Sequence, residues 1–207
     1  MFIKQLDGFT AKHQVGSDSC WICTSMMIDN YYRHQDGTTQ WNSETDFKTA
    51  LEAADPNLAA NYHKETGKVL NWNGQGSAPT ILLFAGRGSN TDDHSVPDFY
   101  EIMQAIYDGI PLLSCVGTRR KSNRTPKLSV PNGHWIVIIG ARCAQDPGSR
   151  PSDDSSMGDP GQFELIVADP DDADGNLQII PYNSLVYQRN GITAQYWENT
   201  SYVDKTV

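Results

Sequence analysis

The chain reads as α+β, with helices gathered in its first half and strands in its second. Three observations predict this. An apolar-rich segment with spacings of three, four and five residues starts at Cys20. A second segment carries Phe99, Ile102, Met103, Ile106 and Tyr107 at i, i+3, i+4, i+7 and i+8. Beyond residue 109 the apolar residues fall into short runs rich in β-branched side chains. The first two follow helical periods and the third is the habit of buried strands; helices followed by strands make α+β.

Residues 1–13 form a short lead-in with the look of an edge strand. The first helix runs from Cys20 to about Arg33, with Trp21, Ile22, Met26, Met27, Ile28, Tyr31 and Tyr32 spread around it, so it is buried over much of its circumference. Asp29 and Arg33 are spaced to pair on its exposed side, and Asp36-Gly37 ends it. A second helix is expected over Glu44–Ala54, capped by Ser43 and stopped by Asp55-Pro56. Residues 57–80 are polar and give little to place. The run from Thr80 to Phe84 reads as a short strand, followed by a glycine-bearing loop to Val96.

Pro97 opens the next helix, which Asp108-Gly109 terminates. Strands are expected at Ile110–Val116, Trp135–Ile139 and Phe163–Ala168. Residues 144–161, dense in Asp, Ser, Pro and Gly, make a loop or a disordered insertion. Asp174-Gly175 is a hairpin turn whose return strand is Leu177–Ile180. Tyr187, Tyr196, Trp197 and Tyr202 point to further strands. The 207 residues suffice for one domain with a real core. Its helical lobe would span about 14–108 and its β lobe about 109–207, with 144–161 inserted.

Composition narrows the function. A net charge of −9 and a pI near 4.9 argue against nucleic-acid binding. The one short basic run, Arg119 to Arg124, reads as a solvated loop. The acidic balance points to basic or neutral substrates. No stretch approaches the roughly 20 apolar residues of a membrane helix, and the N-terminus lacks a signal peptide's apolar core. The expectation is a mature or excised domain, or else a cytoplasmic protein or one exported without such a signal. Four cysteines are too few for a disulfide scaffold of this size. Oligomeric state is left open.

The chemistry gathers around Cys20. A polar, glycine-containing loop from Gln14 leads into it, and a helix starts there. A thiol at a helix N-terminus faces backbone N–H groups without intrahelical acceptors, a setting that favours thiolate and makes a nucleophile. Such a nucleophile needs a base, and the base needs an orienting group. Of five histidines, His13, His34, His63 and His94 lie in polar surroundings and read as solvated. His134 stands at the mouth of a buried strand after Gly133. Asp169, followed by Pro170, ends the strand about 35 residues on. Cys20, His134 and Asp169 thus form a candidate nucleophilic triad.

These motifs resemble the papain-like cysteine peptidases. Gln14 precedes Cys20 by six residues, the spacing of that superfamily's oxyanion glutamine, and Ser19-Cys20-Trp21 matches the segment around its nucleophile. The helical segment from Cys20, with Cys23, Met26, Met27, Tyr31 and Tyr32, is similar to the compact bacterial branch of effector proteases and bacteriocin-processing peptidases. Residues 133–140 and 166–170 resemble that branch's histidine and aspartate motifs, and residues 97–113 the segment before the histidine strand. Asp169-Pro170 departs from the asparagine of papain itself.

The resemblance implies a helical lobe carrying the nucleophile packed on an antiparallel β lobe, peptide-bond hydrolysis of a polypeptide substrate, and no cofactor or metal. It gives Cys20 the attack, His134 the proton, Asp169 the orientation of the imidazole, and Gln14 with the Cys20 backbone N–H the oxyanion. The same residues could act on isopeptides or side-chain amides, or persist in a silent binding protein.

The C-x-x-C spacing of Cys20 and Cys23 opens a rival redox or zinc reading. A redox motif of that kind follows a strand, and the residues before Cys20 are polar. Zinc needs two further ligands, for which no second paired motif exists. Cys23 then reads as packing. Asp169, Asp171, Asp172 and Asp174 invite calcium, but Ala173 breaks the alternation and no terminal glutamate follows. Gly86-Arg87-Gly88 lacks the Lys and Ser/Thr of a phosphate loop. Trp135, Trp197 and the late tyrosines read as core.

Overall fold

The computed structural model describes residues 1–93, 98–117, 133–182, 187–189, 192–194 and 196–205. The fold is α+β, with five α-helices and nine strands among the described residues. Helix α1 (Cys20–Gln35) is buried without a break from Cys20 to Tyr32. A helix covered on all sides is a core helix, as its scattered apolar spacing required. At its end Asp36 N–H reaches Tyr32 O at 3.0 Å, and Gly37 turns the chain at φ 64°.

The Asp29–Arg33 pair forms, with Nε to Oδ2 at 2.8 Å, but its setting differs from the exposed one expected. Asp29 is 3% exposed. Trp41 Nε1 donates to the same Oδ2, and Arg87 donates to Oδ1 at 2.8 Å from Nε. Trp41 and Arg87 arrive from distant sequence, so no helical spacing could reveal them.

Helix α2 (Glu44–Ala54) has the expected bounds, and Ser43 Oγ accepts the Asp46 N–H at 3.1 Å. Helix α3 (Leu58–Thr66) went unread because only Leu58 and Tyr62 are buried on it. The expected strand Thr80–Phe84 is instead helix α4 (Ala78–Phe84). Ser77 caps it through the Thr80 N–H, with proline in its first turn, and Ile81 and Leu82 bury one side. A short apolar run fits either conformation, and here the cap decides. The glycine-bearing loop after it contains strand β2 (Gly88–Asp93). Helix α5 (Phe99–Tyr107) is capped by Asp98; Pro97 and Val96 lie outside the described residues, as does the basic run from Arg119.

Strands β1 (Phe2–Gln5), β3 (Leu112–Gly117), β4 (His134–Cys143), β5 (Glu164–Ala168), β6 (Leu177–Pro181) and β9 (Tyr196–Asp204) join β2 in one antiparallel sheet. Its order is β2-β9-β3-β4-β5-β6. β7 (Tyr187–Arg189) and β8 (Ile192–Ala194) form a separate hairpin.

β4 is longer than expected because it serves three neighbours. Its first half pairs with β3, and its second half with β1 on one side and β5 on the other. Gly140 stands where β1 crosses, and an added Cβ would meet Lys4 O at 2.7 Å. The β5–β6 hairpin turns at Gly175, φ 64°. Residues 144–161 carry two 3₁₀ turns, Asp154–Met157 and Pro160–Gln162, and Met157 is fully buried. Pro151 and Met157 fasten that stretch, while most of its other residues are exposed.

One apolar cluster runs from α1 through α2–α5 into β3, β4 and β5. Trp21, beside Cys20, anchors it: the indole stacks on Trp72 at 5.7 Å and donates to Gly74 O at 2.8 Å. Among the described residues, no helix is long and apolar enough to cross a membrane.

Gly76 lies against that indole, and a Cβ there would fall 2.5 Å from its ring atoms. Gly76→Ala should therefore destabilise the fold by about 1–3 kcal/mol, since a wedged indole cannot swing aside. Urea denaturation checks this; an unchanged midpoint would show that the loop yields freely.

Candidate active site

Cys20 is the first residue of α1 and is buried, with 8% exposure. Ser19 occupies the N-cap position but its side chain does not cap the helix. Its Oγ accepts the Gly16 N–H at 3.0 Å and shares its proton between Gly16 O and Glu44 Oε1. Glu44, also buried, accepts the Val15 N–H at 3.0 Å through the same Oε1. A carboxylate at the start of α2 thus ties down the loop before Cys20. The first N–H groups of α1 receive no side-chain cap, and Cys20 sits at this positive helix end.

His134 opens β4 opposite Val116 of β3, and Asp169 follows directly on β5. The register Val137↔Ala168 brings these strand ends side by side. His134 Nε2 lies 2.5 Å from Asp169 Oδ1, and both side chains are almost wholly buried. The same Oδ1 accepts the Asp171 N–H at 2.9 Å, which fixes the carboxylate in place. His134 also shares a side-chain hydrogen bond with Cys20. With Nε2 committed to Asp169, Nδ1 is the nitrogen left for the sulfur.

The electrostatics follow from these neighbours. Burial is the largest single influence on His134 and pulls its pKa down. The hydrogen bonds and charges of Asp169 and Cys20 outweigh it together and raise the imidazole to about 9. At neutral pH the ring therefore carries its second proton. Cys23 goes the opposite way: burial, and then the charges of Glu44 and Cys20, push its thiol well above the ordinary range. It is fully buried, its Sγ 3.5 Å from Lys12 O. Cys23 is an inert packing group, and it forms no disulfide with Cys20.

Gln14 is buried beside this constellation. Its backbone N–H donates to Pro170 O at 2.6 Å, so the loop before the nucleophile is stitched to the loop carrying Asp169. Its Nε2 donates to Asp171 Oδ1 at 2.9 Å, while Oε1 is buried without a hydrogen-bond partner. His13, His34 and His63 are exposed, and His94 lies outside the described residues.

Two members of this network went unread in the sequence. Glu44 looked like an ordinary acid in a first helical turn, and Asp171 like one of four solvated turn acids. Instead Asp171 binds Gln14, while Asp172 Oδ1 accepts the Asp174 N–H. A cleft of about 200 Å³ opens beside loop residues 15–19, walled by Glu44, Lys48, Trp72 and Asn73.

No family model and no curated protein matches the chain. Among solved structures, the chain is similar to the peptidase domain of Streptococcus ComA, a bi-functional ABC transporter involved in a quorum-sensing pathway. The identity is 13%, over 95% of this chain and 98% of that one, with a TM-score of 0.45. It is also similar to the clostridial cysteine protease Cwp84 after propeptide cleavage. There the identity is 12%, over 94% of this chain and 55% of that one, with a TM-score of 0.41.

The His134 environment makes stability depend on pH with a definite sign. The folded chain holds the imidazole proton to about pH 9, whereas the unfolded chain releases it near the ordinary 6.5. Between these values the native ring binds more protons than the unfolded one, so the imidazole's own contribution to the unfolding free energy falls as pH rises. The contribution is fully present below 6.5 and gone above 9. Denaturation across this window should show the decline in the parent chain and a flatter profile in His134→Ala. Parallel profiles would contradict the assignment.

Proposed function

We propose that the chain is a papain-like cysteine peptidase that hydrolyses polypeptides through Cys20, His134 and Asp169, with Gln14 as an oxyanion donor. The observation that carries this reading is the buried imidazole held between a helix-start thiol and a carboxylate. A structural histidine needs no partner sulfur at a helix N-terminus, and a core cysteine needs no imidazolium. The helical segment from 14 to 108 and the strand-rich segment from 109 to 207 would then act as two lobes of one domain.

The steps follow from the geometry. The Cys20 proton resides on His134, and the thiolate attacks the carbonyl carbon of the scissile amide, forming a C–S bond. The carbonyl oxygen becomes an oxyanion that the Cys20 backbone N–H and the Gln14 amide stabilise. The C–N bond breaks as His134 Nδ1 gives its proton to the departing nitrogen, leaving a thioester on Cys20. Neutral His134 next draws a proton from water, whose oxygen attacks the thioester carbon. Collapse of that intermediate releases the carboxylic acid and restores the thiolate and imidazolium. Asp169 keeps Nε2–H engaged throughout, which holds Nδ1 toward the sulfur. No cofactor enters these steps.

Cys20→Ala should abolish casein hydrolysis while leaving the fold intact, as circular dichroism and thermal unfolding would show. Hydrolysis surviving that change would sink the mechanism. Because His134 must be protonated to release the amine, kcat/KM should fall as pH rises through about 9. Asp169→Asn removes the main influence raising the imidazole and should move this alkaline limb downward. A limb that does not move would separate Asp169 from the reaction.

A further inference from the structure

The Gln14 amide is held in an unusual way. It is buried, its Oε1 has no partner, and its Nε2 has two acceptors of unequal quality: Asp171 Oδ1 at 2.9 Å and Ser17 O at 3.4 Å. Exchanging the amide oxygen and nitrogen would set Oε1 against a carboxylate oxygen, acceptor against acceptor, so the neighbour itself fixes the orientation. One N–H is therefore committed to Asp171. The other makes only a long contact and is the one that can turn to a ligand. Among the described residues, Asp171 gives this amide its shorter and firmer acceptor.

We propose that Asp171 is a positioning residue: its carboxylate clamps the Gln14 amide so that the second N–H is presented to the oxyanion. The inference rests on the peptidase reading and adds to it a residue outside the triad. Chain geometry separates the two roles of residue 171. Its backbone N–H supports Asp169 Oδ1, and its side chain supports Gln14. A side-chain substitution removes the second role and keeps the first.

The test compares a reaction that develops an oxyanion with one that does not. Acylation by a peptide carbonyl needs the donor; alkylation of Cys20 by iodoacetamide displaces iodide and forms no oxyanion. Asp171→Ala should lower kcat for casein hydrolysis by at least about tenfold, below the roughly 100-fold or more for removing a donor outright. KM should change little, and the iodoacetamide rate should stay within about twofold of the parent chain, because neither the sulfur nor the imidazole is touched.

Asp171→Asn, which still offers an acceptor oxygen, should recover most of the loss. In a Gln14→Ala background, Asp171→Ala should cost nothing further. An unchanged kcat, an equal fall in alkylation, or an additive loss in the double variant would each overturn the proposal. If the parent chain shows no Cys20-dependent hydrolysis at all, the peptidase reading falls and takes this inference with it. Cys20-dependent hydrolysis indifferent to Asp171→Ala removes the inference alone.

Discussion

The rest of the site depends on the bond between His134 Nε2 and Asp169 Oδ1. It is a charge-bearing contact in a place almost closed to water. Desolvation works against an imidazolium there, and the carboxylate comes first among the neighbours that offset it. The carboxylate in turn stays useful only if its direction is fixed, which the Asp171 N–H does. Sheet register makes the meeting possible. Neighbouring antiparallel strands lie about 4.8 Å apart, so the start of β4 and the end of β5 put short side chains within reach without a flexible loop. The irregularity between Ile138 and Gly140 sits within this pairing, so the register between these two strand ends is set on the β4 side.

Helix α1 serves two demands that pull in different directions. As the core helix it must be anchored, which Trp21, Ser25 and Tyr31 do through bonds to Gly74, Ala78 and Gly109 carbonyls. At its start, where Cys20 sits, it is left without a side-chain cap. Ser19 would be an ordinary cap, worth about 1 kcal/mol to a helix. Glu44 diverts its hydroxyl into the preceding loop, and the helix forgoes that stabilisation at the end where Cys20 sits. The anchors further along the helix make the loss tolerable.

Most of the scaffold was legible because it obeys local rules. The α2 boundaries follow from Ser43 and Asp55. The course of α5 follows from the apolar spacing after Phe99, although its cap is Asp98 and Pro97 does not open it. β4 to β6 follow from β-branched runs and the Asp174-Gly175 turn. The candidate site was legible at Cys20, His134 and Asp169 because each stands where an element starts or stops. What failed was of another kind. The segment Ala78–Phe84 has no length to display a period, so its cap outweighed its apolar content. The surroundings of Asp29, the reach of Glu44 to Val15, and the bond from Asp171 to Gln14 all join residues far apart in sequence. Such partners carry no local signature, and a turn acid that orients an amide is spelled like one that only meets water.

The buried polar groups show where the chain departs from packing logic. Thr24 and Ser25 return their hydroxyls to carbonyls of α1, and Asp29 and Asn30 hold Trp41 and two arginines; these serve the fold. Ser19 and Glu44 tie the loop before Cys20 through its backbone N–H groups, while the side chains of Gln14, His134 and Asp169 are polar where packing alone asks for apolar ones. Among the described residues the Gln14 Oε1 meets no hydrogen-bond partner, a burial that a Leu or Met there would avoid. A chain shaped for stability alone would not keep that amide, tie it to a carboxylate, and set both against an imidazole and a thiol at an uncapped helix end. Together these choices gather a thiol, an imidazole, a carboxylate and an amide within one buried neighbourhood, the arrangement on which the proposed amide hydrolysis rests.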